Sequence, residues 1–170
     1  LGKHTDYAGG RSLLTAARNG FCIIAAPRED ATMRVFAADI DESVEFPFDG
    51  ELGIAVAGWR NYPRTTVRRV ARNFPSARRG ADIAFASDLP VAAGMSSSSA
   101  LMVAMFFAVS AVNRLDEREE YRREISSRED LAEYLGAVEN GQTYGRLAGD
   151  KGVGTFGGSE DHTAMLCCSA

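Results

Sequence analysis

The amino-acid sequence predicts an α+β domain in which a mixed, mostly antiparallel sheet packs on helices. Three observations predict it. Short runs with strand alternation fall in the first half: Thr32 to Ala38 sets Met33, Val35 and Ala37 against Arg34 and Phe36, and Glu42 to Phe48 alternates Val44, Phe46 and Phe48. A run that is apolar nearly all round, Ser98 to Arg114, predicts a buried helix. No internal repeat or low-complexity linker divides the chain, and 170 residues at 45% hydrophobic content suffice for one sizeable core.

Taken in order, Leu1 to Gly10 is polar and glycine-punctuated, and predicts a loop. Its His4, Thr5 and Asp6 cluster donors and acceptors; a carboxylate that accepts two hydroxyl hydrogen bonds suits a polyol, and a solvated turn capped by Asp6 is the alternative. Ser12 to Ala17 is short and apolar. Gly20 to Ala26, rich in Phe and Ile, predicts a buried strand, and with the next two strands an antiparallel meander. Phe36 falls on the polar side of its strand.

Gly58 to Pro63 opens a helix, with Pro63 at an early helical position. Val67, Val70, Ala71 and Phe74 share one face, and Arg64, Arg68, Arg69 and Arg72 spread round the rest as a solvated basic surface, an anion site being the alternative. Trp59 and Tyr62 lie three apart on one face, placed either to stack on a base or to pack in the core. Gly80 to Leu89 predicts a strand, and Asp116 to Glu124 a charged helix. Arg128 to Tyr144 predicts a helix with Leu131, Tyr134, Leu135 and Val138 inward. Glu139 falls near its end, where the helix dipole disfavours a carboxylate, a placement that hints at a compensating cation. Six glycines between Gly145 and Gly158 make a loop. Ser159 to His162 follow, and Thr163 to Cys168 reads as a strand.

The chain is organised around Leu89 to Leu101. A strand leads in, a helix leads out, and between them stand Pro90, Gly94 and four serines, Ser96 to Ser99. The first turn of a helix has unpaired N–H groups and the positive end of the dipole, a place that suits phosphate where side chains are small. A serine acting simply as N-cap is the plainer reading. Neither the G-x-x-x-x-G-K-[ST] pattern nor G-x-G-x-x-G occurs in this stretch.

Net charge of -4 argues against a general nucleic-acid binder, despite six arginines between Arg64 and Arg79. No apolar run reaches the ~18 residues of a membrane span, and no signal-peptide pattern is read. Three cysteines, two of them adjacent, make a poor disulfide framework and favour a reducing cytoplasm; no Cys/His grouping has zinc spacing.

Four segments, in order along the chain, resemble the GHMP kinase superfamily, and its galactokinase branch most closely. Gly2-Lys3-His4-Thr5-Asp6-Tyr7 is similar to G-E-H-T-D-Y. Trp59-Arg60-Asn61-Tyr62 is similar to W-x-N-Y, and Pro90 to Ala100 to the phosphate loop P-x-G-x-G-L-S-S-S-A. Gly157 to His162 is similar to G-x-M-D-Q.

The resemblance implies the family's N-terminal domain, of the ribosomal protein S5 domain 2-like fold, over residues 1–170. It also implies ATP-dependent phosphorylation of the anomeric hydroxyl of a monosaccharide, galactose-like or a uronic acid, with Mg²⁺. Lys3, His4, Asp6 and Gly158 would contact the sugar. Trp59 and Tyr62 would lie near the adenine, and Gly94, Ser96, Ser97 and Ser98 would cradle the phosphates. Ser98 and Glu139 would bind the metal, and Asp161 would act as base. The expected partner is a small-molecule sugar, with no nucleic acid and no membrane. A catalytically silent sugar- and ATP-binding sensor on the same fold is the alternative.

Some residues depart from the family pattern. Lys3 replaces a sugar-binding glutamate, a donor in place of an acceptor, which suits an anionic substrate group; pairing with Asp6 or another nearby acid is the alternative. Ala92 and Ala93 replace loop glycines, which narrows the backbone's freedom there, and His162 replaces glutamine. The family's catalytic arginine would precede Leu1 and its third motif would follow Ala170, so the chain reads as truncated at both ends. The isolated piece is expected to turn over slowly or not at all.

Overall fold

A computed structural model of the chain describes residues 13–53, 58–90, 94–154 and 159–168. Its strands are β1 (Phe21–Pro27), β2 (Thr32–Ala37), β3 (Glu42–Pro47) and β4 (Ala81–Ser87). Its helices are α1 (Asn61–Asn73), α2 (Ser97–Asn113), α3 (Glu119–Glu124), α4 (Arg128–Asn140) and α5 (Glu160–Cys167). The architecture is α+β.

The sheet is mixed, in the order β1-β4-β2-β3. β2 and β3 form an antiparallel hairpin with Val35 opposite Val44. The expected meander is overturned: after α1 the chain returns as β4, which inserts between β1 and β2, antiparallel to the first and parallel to the second. Period-2 alternation then decides the two faces. Met33, Val35, Ala37, Phe46, Ala81 and Ile83 are buried against the helices. Arg34, Glu45 and Asp82 lie on the other face, where Arg34 pairs with Glu45 at 2.9 Å. Phe36 is exposed there too, as its position in the alternation predicts. β1 is not a buried strand. It is an edge strand, and its Ile24 is 69% exposed.

α2 touches β1, β4, α1, α4 and α5. That environment requires its apolar composition, and Leu101, Met102, Met105, Phe106 and Val109 are all buried. α4 buries Leu131, Tyr134, Leu135 and Val138 as predicted, and ends at Asn140 rather than Tyr144 because Gly141 turns left-handed (φ 75°). A reciprocal cap of Ser127 and Asp130 starts this helix.

The basic surface expected on α1 is also overturned at two of its four arginines. Arg68 and Arg69 are buried. Arg68 forks onto Asp150 and donates to the Leu52 carbonyl at 2.8 Å. Arg69 donates to the Gln142 carbonyl and, at 2.7 Å, to Asn73 Oδ1. Asn73 and Asn61 donate in turn to the carbonyls of Ala148 and Val153, both at 3.1 Å. α1 therefore clasps the glycine-rich loop after α4. In that loop glycine is needed for close approach: a Cβ on Gly152 would stand 2.2 Å from the Glu139 carbonyl oxygen. The loop fixes the end of α4, and with it Glu139.

Candidate active site

The turn before α2 has two left-handed residues, Gly94 (φ 70°) and Ser96 (φ 52°). Ser96 occupies the N-cap position, yet its hydroxyl makes no cap hydrogen bond. An N-cap serine normally has an extended backbone that brings its oxygen over the first turn, and the left-handed backbone here does not. The first helical bond runs from Ala100 N–H to the Ser96 carbonyl at 2.9 Å. The N–H groups of the first turn, with the positive end of a 17-residue helix behind them, are thus left uncapped by Ser96.

A cleft of about 580 Å³ opens at this turn. Gly94, Ser96 and Asp161 line it together, with Phe21, Val103, Phe107 and Met165 among its apolar walls. Asp161 reaches it from α5, in the segment expected to be a strand. That expectation is overturned: Glu160–Cys167 is helical, and Asp161 sits in its first turn. α5 packs on α4 at Gly136, where a Cβ would stand only 3.1 Å from the Ser159 Cβ.

One residue along from Asp161, His162 is buried, at 1% exposure, on the other side of α5 from the cleft. Its Nε2 lies 3.2 Å from Oε2 of Glu139. The same oxygen accepts a 2.8 Å hydrogen bond from the Ser99 hydroxyl, on the first turn of α2. The Glu139 carboxylate, disfavoured at the end of its own helix, therefore faces the start of α2. Among the described residues no lysine or arginine pairs with it. An oxygen donor of formal negative charge without a fixed cation, beside serine hydroxyls, fits a hard divalent ion that keeps further ligands from water and phosphate.

Trp59 and Tyr62 do not line this cleft. Trp59 packs edge-on against Phe85 at 5.5 Å, and its Nε1 donates to Glu42 at 2.8 Å. Phe85 in turn meets Phe21, a wall of the cleft, at 5.7 Å. Tyr62 packs against the core. Ser97 and Ser98 begin α2. Lys3, His4, Asp6 and Gly158 lie outside the described residues. Sequence reasoning missed Ser99 as the hydroxyl that meets Glu139. The one available signal was a fourth serine on the first turn of an otherwise apolar helix.

These features define a sheet-and-helix domain with a cleft at the start of its central helix, which Ser96 leaves without a side-chain cap. The family model described as "GHMP kinases N terminal domain" matches residues 61–157, more than half of the chain. The chain belongs to the GHMP kinase family.

Galactokinase from Actinobacillus pleuropneumoniae serotype 5b is 36% identical over 105 residues, 62% of this chain and 27% of the relative. Galactokinase from Roseiflexus sp. (strain RS-1) is 38% identical over 116 residues, 68% of this chain and 29% of the relative. The chain thus spans under a third of the length of these relatives. Among solved structures, Lactococcus lactis galactokinase complexed with galactose matches with a TM-score of 0.66 and 20% identity, over 86% of this chain and 34% of that one. Methanococcus jannaschii mevalonate kinase matches with a TM-score of 0.56 and 16% identity, over 71% and 36%. These two likenesses bear on fold.

Proposed function

We propose that the protein of which this chain is part is a sugar-1-kinase: it moves the γ-phosphoryl group of ATP to the anomeric hydroxyl of a monosaccharide, giving a sugar 1-phosphate and ADP. The observation that carries the reading is the meeting, in one cleft, of Gly94 and Ser96 at an uncapped helix start with the carboxylate of Asp161. Identity of 36–38% to galactokinases supports the choice of acceptor.

In this reading the first turn of α2, with Ser96, Ser97 and Ser98, binds and orients the phosphates. His4, Asp6 and Gly158 hold the sugar. Asp161 orients the anomeric hydroxyl and accepts its proton as the oxygen bonds to phosphorus and ADP departs. Glu139 and Ser98 would hold Mg²⁺, which supplies neutralisation of charge on the phosphate oxygens. Phe21, Val103 and Phe107 supply the apolar walls of this cleft. Lys3, a cation where a sugar-binding glutamate is the pattern, favours a substrate with an anionic group, such as a uronic acid.

A panel of hexoses and uronic acids, assayed with ATP and Mg²⁺ on the full-length protein, tests this, with the phosphate located by ³¹P NMR. The expected product is phosphorylated at the anomeric oxygen, and galacturonate has the higher kcat/KM. A higher kcat/KM for galactose removes the role given to Lys3. No phosphorylated sugar at all removes the kinase reading.

A further inference from the structure

α5 presents two neighbouring side chains to two different places. Asp161 lines the cleft, and His162 enters the junction of α2, α4 and α5. At 1% exposure, His162 has neither ring nitrogen hydrogen-bonded among the described residues, which is costly for a buried polar group. An apolar side chain of similar size would fill the same space without that cost. The acceptor beside it is Glu139 Oε2, 3.2 Å from Nε2, a contact that does not meet hydrogen-bond geometry. Such bonds are often long or misaligned before a site is loaded. Ser99, itself buried, already donates to the same oxygen at 2.8 Å. Gly136 lets this turn of α5 come close to α4, since a Cβ there would lie 3.1 Å from the Ser159 Cβ and 3.2 Å from its Cα.

We infer that His162 is a positioning residue: with Ser99 it holds Oε2 of Glu139 from α5 and α2, leaving the other carboxylate oxygen to take a divalent cation. The inference rests on the reading of Glu139 as the metal carboxylate. It has a structural consequence: one turn of α5 sets both the proposed base and the proposed metal ligand, so the two carboxylates keep a fixed relation. His162 contributes an N–H donor and orientation. Gln in its place still has an N–H to offer, and Leu fills the space without one.

The test uses full-length H162L, H162Q, S99A and E139Q, with Mn²⁺ binding in the presence of ATP read by electron paramagnetic resonance. Sugar affinity and melting temperature are followed in parallel. Loss of a group that orients a metal ligand typically weakens metal binding about 10–100-fold. H162L and S99A are expected to weaken Mn²⁺ by that order and to leave sugar affinity unchanged, while H162Q recovers most of the loss. The inference is overturned if H162L or S99A binds Mn²⁺ as wild type does, or if H162Q loses as much as H162L. Should E139Q itself bind Mn²⁺ normally, the reading of Glu139 fails first, and the role of His162 falls with it.

Discussion

Asp150 shows how much one partly buried carboxylate organises. Its side chain is 13% exposed, and Arg68 opposite is 10% exposed. Burial pushes its carboxyl up, but the Arg68 guanidinium, the Lys151 N–H and Arg72 together outweigh that and leave it lowered. Breaking a buried pair by removing one charge typically costs about 3–5 kcal/mol, because the other charge remains without its partner. D150N is therefore expected to lower stability by about 3 kcal/mol, measured by urea unfolding at neutral pH. A lowered carboxyl stabilises the folded state above its unfolded pKa, and that contribution is lost as pH falls through the lowered value. The gap between wild type and D150N is thus expected to be full at neutral pH and to close on acidification. A gap that stays constant with pH would show that charge is not its origin. Arg69, buried without any carboxylate within 4 Å among the described residues, is held by carbonyl and amide oxygens instead, and burial pushes its pKa down.

At the scale of elements, the end of α4 and the glycine loop are one unit. Gly141 has φ 75°, and a Cβ on it would stand 2.3 Å from the Asp150 carbonyl oxygen. G141A is expected to cost about 1–3 kcal/mol for the left-handed backbone, before the clash is relieved. The variant should melt earlier, and hydrogen exchange should quicken at Asp150 and Val153, whose N–H groups bond to Gly141 and Glu139. Protection equal to wild type there would separate the loop from the helix.

Elements with a local signature were legible in the sequence. α4 was, because its inward residues repeat at helical spacing, and so was the β2–β3 hairpin, because each strand alternates. α5 was not, because Thr163 to Cys168 is a short apolar run with no period to separate helix from strand. The insertion of β4 beside β1 was not legible, since pairing across some 60 residues leaves no local trace. Nor was the burial of Arg68, whose partner stands 82 residues away. For the site, Gly94, Ser96 and Asp161 were named from motifs and line one cleft. Ser99 and the contact of His162 with Glu139 depend on how α2, α4 and α5 meet, which no motif records.

On the scale of the whole molecule, the helices gather on one face of the sheet, and the cleft lies where α2, α5 and β1 come together. The chain spans under a third of the Actinobacillus and Roseiflexus galactokinases, so the proposed activity is that of the full-length protein. In the proposed reaction a phosphate chain docks at the start of α2 with Asp161 facing the acceptor hydroxyl. The most direct measurement is sugar-dependent ADP release by full-length D161N against wild type, with sugar affinity read by calorimetry. A positioned base contributes about 10²–10⁴-fold, so release is expected to fall by that order while sugar affinity holds. Turnover of D161N equal to wild type would contradict that proposal.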